Sequence, residues 1–212
     1  TSSRAIRGWS RRNCRLSSYN LSPNCAQSLF PGRGQVELSG ISRLAVEMSK
    51  LNATDIQGFV LRGYNLPFGR YLFFHLEDAA RARRMIGQLL GQVTTGQRWD
   101  GGKPDSTMNI AFTHKGLVAL DLPLATLITF PVEFQEGMKN RARNLGDTGL
   151  NAPERWDDVW RDDRVHLWLG VNAKSPEALE ERCAKLLATI QESGGAVLLD
   201  SQDAAAVVID GK

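Results

Sequence analysis

Acidic residues are missing before Glu37, and the same stretch holds six arginines. Serine, asparagine, glycine and proline fill much of the rest, and its apolar residues follow neither a period of two nor one of 3.6. Such a segment buries too little apolar surface to offset the entropy of ordering it, so residues 1–40 are expected to form a disordered basic tail. An Arg- and Ser-rich, acid-poor start is the composition of an organelle transit peptide. It is equally that of foreign or frame-shifted sequence joined to a shortened gene. Interleaved aromatics at regular spacing are absent, as is any recognisable binding module, so nucleic acid is not an expected partner. Cysteine is scarce too. Cys14, Cys25 and Cys183 make neither a metal spacing nor an even disulfide set. No apolar run approaches the length of a transmembrane helix, so a membrane is not expected. Dinucleotide-binding glycine motifs, a phosphate-binding loop and a nucleophile elbow are all missing. No secretory signal is visible, and the cytoplasm is the expected location.

What is present is enough for one domain with a real core. The net charge of +3 hides an asymmetry: residues 1–50 hold eight Lys/Arg against two Glu, whereas residues 51–212 hold eighteen against twenty-one acids. The body of the chain is therefore mildly acidic. Residues 41–54 read as a linker or a short helix with Leu44, Met48 and Leu51 on one side. Arg70 to Leu76 alternates as a strand, with Tyr71, Phe73 and His75 opposite Leu72, Phe74 and Leu76. Asp78 suits the cap of a helix whose apolar residues Ala82, Met85, Ile86, Leu89, Leu90 and Val93 recur at three and four. Val165 to Val171 is a second clear strand. Ser175 and Pro176 then open a helix striped by Leu179, Cys183, Leu186, Leu187 and Ile190, with Cys183 expected to pack as a small hydrophobe. Gly194-Gly195 stop it, and Ala196 to Leu199 returns as a strand.

Between these pairs, Met108 to Thr113 reads as a buried strand that turns through His114-Lys115-Gly116 into a short helix ending near Pro123. A further helix follows Phe130-Pro131. Its Phe134, Met138, Ala142 and Leu145 are spaced to share one face, and Gly146 suits a left-handed cap. The order is strand, helix, strand, helical insertion, strand, helix, strand. It predicts an α+β, ferredoxin-like (split βαβ) fold: an antiparallel sheet with helices on one face and a helical insertion. The domain is expected to span residues 55–203, followed by a C-terminal tail, 204–212.

The wording of this stretch carries more than its periodicity. Asn109-Ile110-Ala111-Phe112-Thr113 with Gly116-Leu117, then Phe134, Gly137-Met138, Arg141-Ala142 and Leu145-Gly146-Asp147, occur in that order. Before them come Asp55-Ile56-Gln57-Gly58, Leu61-Arg62-Gly63-Tyr64, Arg70-Tyr71-Leu72-Phe73-Phe74, Val93-Thr94-Thr95 and Trp99, and after them Pro153 and Trp156. From about Asp55 to about Asp200 the series resembles the N-terminal half of the dye-decolourising (DyP-type) haem peroxidases, their bacterial branches in particular. The resemblance implies the same ferredoxin-like fold. It also implies, for the whole enzyme, haem b and the hydrogen-peroxide-dependent oxidation of bulky organic donors. In the family the haem-ligating histidine lies well downstream, in a second ferredoxin-like domain. The Gly-x-x-Asp-Gly motif follows the first domain, and an arginine lies further on. The chain is therefore expected to lack the chemistry of its family and to hold no haem alone. Its expected partners are a C-terminal peroxidase half or a second copy of itself.

The residues themselves point the same way. Only His75, His114 and His166 could ligate iron. His75 and His166 fall inside predicted strands, and His114 lies in a turn, the better place for chemistry. None has a family reason to face a metal. Asp210-Gly211 echoes the family motif, but Val207 stands where its first glycine belongs, and a plain terminal turn is the favoured reading. Asp147-Thr148-Gly149 recurs in aspartic proteases, yet no second such element is present, and a structural role is expected. Asp157-Asp158 and Asp162-Asp163 lack the glycine-containing alternation of a calcium loop. Trp99, Trp156, Trp160 and Trp168 could relay electrons only where a haem is bound, and packing is the simpler role. No catalytic, cofactor-binding or metal residue is assigned from the sequence.

Overall fold

The alternation of Arg70–Leu76 becomes the central strand of an antiparallel sheet. In the computed structural model, which describes residues 52–206, the elements run α1 (Gly58–Leu61), β1 (Phe68–Leu76), α2 (Ala79–Leu90), β2 (Ser106–Phe112) and α3 (His114–Ala119). They continue with α4 (Leu124–Leu127), α5 (Val132–Asn140), α6 (Ala142–Leu145), α7 (Asp158–Arg161), β3 (Leu167–Ala173), α8 (Pro176–Ser193) and β4 (Ala196–Ala205). The expected tail 1–40, most of segment 41–54 and the last residues of tail 204–212 lie outside the described residues. No helix among the described residues is long and apolar enough to cross a membrane.

The sheet order is β2-β3-β1-β4, with every neighbouring pair antiparallel. This is the ferredoxin-like arrangement that the element order implies. β1 pairs Phe68 through Phe74 with Ala173 through Leu167 on one side. On the other it pairs with β4, with a register shift between Phe73 and Phe74. β4 is longer than the apolar run Ala196–Leu199 suggests, because its second half contributes backbone pairing with exposed side chains rather than burial.

One face of the sheet meets α2 and α8. Asp78 Oδ1 accepts the Arg81 N–H at 2.7 Å and starts α2, and Ser175 Oγ accepts the Ala178 N–H at 3.2 Å and starts α8. These caps answer backbone donors that an isolated helix end leaves open. Ala82, Met85 and Leu89 from α2 and Leu179, Cys183, Leu186 and Ile190 from α8 are buried against Leu72, Phe74, Met108, Leu169 and Val171. Burial also pushes the Cys183 thiol above its ordinary pKa, as expected of a thiol used for packing. Leu90 departs from the expected stripe and is exposed, since α2 ends there.

The outer edge of β2 is closed by side chains instead of a fifth strand. The Gln57 amide donates to Ile110 O at 2.8 Å and accepts the Ile110 N–H at 2.9 Å. Thr94 does the same for Met108: its N–H donates to Met108 O at 2.8 Å, and its Oγ1 accepts the Met108 N–H at 3.0 Å. Behind the clamp, Asn109 donates to Tyr64 OH at 3.1 Å and to Gln57 Oε1 at 3.3 Å. An unpaired edge is a template for further strands, and this clamp blunts it. Gln57→Leu keeps the bulk but strands both Ile110 groups. It should lower unfolding free energy by about 1–3 kcal/mol in urea denaturation, whereas a loss below about 0.5 kcal/mol would show that water replaces the clamp.

Candidate functional site

The helical insertion between β2 and β3 contains the features that chemistry would need. Thr113 caps α3, its Oγ1 accepting the Gly116 N–H at 3.0 Å and donating to Val165 O at 2.8 Å. The first turn of α3 thereby sits on the chain that leads into β3. Gly116 is required there, because a Cβ would lie 2.0 Å from His166 O.

The insertion differs from its reading as one striped helix. Gly137 has φ 73° and ψ 171° and breaks α5, and α6 follows as a separate turn ended by Gly146 at φ 82°. The left-handed cap is where the sequence places it. The shared apolar face is not buried as expected: Ala142 is covered, but Phe134, Met138 and Leu145 are 36%, 66% and 49% exposed. Spacing puts these residues on a helix face, and the glycine kink then turns that face away from the core.

Under the kink lies a cavity of about 610 Å³. Phe112, Phe134, Met138, Trp156, Val159 and Trp160 supply its apolar walls, with His114 among the lining residues. Its charges are largely answered internally. Lys115 pairs with Asp163, Glu136 with Arg141 at 3.6 Å, and Lys139 donates to Arg161 O at 2.6 Å. Trp156 donates its indole N–H to Asn151 O at 2.9 Å, and Trp160 stands edge-on to Phe73 with centroids 4.8 Å apart.

Each histidine is tied to the backbone. His114 opens α3 rather than lying in a turn. Its Nε2–H donates to Leu127 O at 3.2 Å, and its ring meets Phe130 and Phe134 edge-on at 6.2 and 5.8 Å. His75 is in β1 as expected, its Nδ1–H donating to Arg164 O at 2.9 Å. His166 lies just ahead of β3 rather than inside it, and its Nδ1 accepts the Leu76 N–H at 3.2 Å. His75 and His166 stack with centroids 4.2 Å apart. Neither the stack nor the cavity has a local signature in the sequence, since both depend on residues far apart along the chain.

These residues do not fit a haem. His75 and His166 cover each other's faces and lie outside the cavity walls. His114 reaches the cavity, but two phenylalanines pack against its ring and one nitrogen is committed. Among the described residues no group of three or more His, Cys, Asp or Glu is arranged to hold a metal. Asp158 and Asp162 engage Arg161, and Asp163 engages Lys115. Asp147-Thr148-Gly149 passes from the α6 cap into a 3-10 turn. Trp168 lies over Gly170, where a Cβ would be 2.2 Å from the indole, and tilts against Tyr71 at 5.7 Å. Trp99 packs on Tyr64 and under the Arg62 guanidinium. Asp210 lies outside the described residues.

The family profile described as the DyP dimeric alpha+beta barrel domain matches residues 55–199. The chain belongs to this DyP family. It is 29% identical over 119 residues to a dye-decolorizing peroxidase of Mycena epipterygia and to Peroxidase 2 of Mycetinis scorodonius. In each case the match covers 55% of this chain and 21% or 22% of the relative. These relatives are fungal proteins, whereas the wording of the sequence points to the bacterial branches. Among solved structures, a decolorizing peroxidase from Auricularia auricula-judae superposes with a TM-score of 0.64 at 21% identity, over 76% of this chain and 35% of that one. An ancestral D-type dye decolorizing peroxidase gives 0.65 at 26% identity, over 76% and 36%. The chain spans about a third of the length of these solved DyP proteins and about a fifth of the curated ones.

The cavity rim gives a direct test of the exposed DyP insertion. Met138→Lys should leave unfolding free energy within about 0.5 kcal/mol while lowering native-state fluorescence of an uncharged apolar dye such as Nile red. A large stability loss would show that Met138 is covered in solution.

Proposed function

We propose that this chain is the N-terminal ferredoxin-like part of a DyP-type haem peroxidase and is not competent alone. In the whole enzyme it would serve hydrogen-peroxide-dependent oxidation of bulky organic donors, with haem b held by a complementary C-terminal part. One observation carries the reading: His75 and His166 stack on each other outside the cavity walls, and the His114 ring is packed against Phe130 and Phe134, so no imidazole stands over an open pocket that could take a haem. A peroxidase also needs an acid–base group within hydrogen-bond reach of bound peroxide. Of the three cavity carboxylates, Asp163 and Glu136 are paired with Lys115 and Arg141, and Glu133 is the one without such a pair among the described residues.

A second reading, a non-catalytic ferredoxin-like module that associates with itself, is supported by the sheet face opposite α2 and α8. Tyr71, Trp168 and Leu199 are only partly buried there, and the matched domain is described as dimeric. Light scattering on the purified chain separates the two readings, since a stable dimer would favour self-association.

Hemin titration tests the first reading. The expected result is weak, non-saturable binding, with peroxide-dependent dye turnover no greater than that of free hemin. A sharp Soret band at one haem per chain that disappears in His114→Ala, with turnover above free hemin, would overturn it.

A further inference from the structure

We propose that the stacked His75–His166 pair is an acid-sensitive latch that holds both ends of the helical insertion on the sheet. The insertion leaves the sheet at Thr113 and returns at His166, and these residues meet. The Thr113 N–H donates to His166 O at 3.1 Å, the His166 N–H donates to Phe74 O at 2.9 Å, and Thr113 Oγ1 donates to Val165 O at 2.8 Å. Gly116 lies directly on the His166 carbonyl. The backbone of His166 is therefore the joint between β1, the start of α3 and the start of β3.

The imidazoles fix the protonation state of this joint. Arg164 O can only accept, so His75 Nδ1 carries hydrogen. The Leu76 N–H can only donate, so His166 Nδ1 must keep its lone pair. Protonating His166 removes that acceptor. It also places an imidazolium 4.2 Å, centroid to centroid, from the His75 ring. Other charges facing the pair are Lys115 of α3, which disfavours the cation, and Asp163 of the loop before β3, which favours it. Burial is the main cause that holds the His166 imidazole below its ordinary value, with the neighbouring His75 ring next.

The direction of the effect follows from this depressed value. Above the ordinary imidazole pKa of about 6.5, the ring is neutral in the latched and released states alike, and the latch is at full strength. As pH falls below that value the released ring takes up a proton more readily than the latched one, and stability is lost until pH passes the latched-state pKa. Each unit of separation between the two pKa values is worth about tenfold in the opening equilibrium.

Hydrogen exchange on the intact chain, corrected for intrinsic rates at pH 7.5 and pH 5, tests the latch. Protection of residues 113–166 should fall at the lower pH, while α2 and α8 keep theirs. His75→Phe retains a stacked ring without its charge and should reduce that fall, and His166→Asn, which offers a non-titrating acceptor, should remove it. Should either variant fail to fold, a proton NMR titration of the histidine rings in the unmodified chain decides the matter, with His166 expected to titrate below about 6.5. Uniform loss of protection across sheet and insertion, pH-independent protection, or His166 titrating at or above the ordinary value would overturn the proposal.

Discussion

A four-stranded sheet has two faces, and two helices can cover only one of them. This constraint governs the rest of the molecule. On the covered face, α2 and α8 bring Met85, Leu89, Cys183 and Leu186 onto Leu72, Phe74, Leu169 and Val171, and that core is closed. The opposite face is treated piecemeal. Trp160 and Val159 from α7 reach Phe73, Trp168 lies across Gly170, and Tyr64 and Gln57 close the side next to β2. Dispersion and apolar burial act at each spot. Together these contacts still leave Tyr71, Trp168 and Leu199 only partly covered.

The same constraint explains the shape of the insertion. To reach the far face it must leave the end of β2, pass round the sheet and come back beside its point of departure. The join at Thr113, Gly116 and His166 is that return. Because the segment is fixed at its base and kinked at Gly137, its outer residues are free of the core. Leu124, Ile128, Val132, Met138, Leu145 and Leu150 are all exposed. All of these exposed apolar side chains belong to the one segment between β2 and β3.

What the sequence made legible follows from where burial is local. β1, α2 and α8 each bury a face set by their own period, so alternation in Arg70–Leu76 and the three-and-four spacing from Ala82 and Leu179 predicted them. Asp78, Ser175, Gly146 and Gly194 marked their ends because a cap is chosen by neighbouring backbone donors and acceptors. The stripe Phe134–Leu145 failed for the complementary reason. Spacing states which residues share a face, and one glycine at positive φ decides where that face points. The Gln57 clamp was not legible either, since an amide that replaces a strand looks like any polar residue before a glycine. His75 and His166 are separated by most of the domain, and nothing local could pair them.

The family was readable from wording that periodicity does not explain, yet the candidate site is best understood through what its histidines already do. Each imidazole joins separate pieces of the fold: His75 of β1 to Arg164 before β3, His166 before β3 to Leu76 of β1, and His114 of α3 to Leu127 of α4. A side chain with two nitrogens and one proton is suited to this, because it can donate on one side and accept on the other. That use competes with catalysis. A metal ligand or general base must present a lone pair to an open site, whereas His166 gives its Nδ1 lone pair to a backbone N–H and His75 covers its ring face. The histidines of this domain therefore serve its own frame: His75 and His166 hold the end of the insertion to β1, and His114 ties two helices within the insertion.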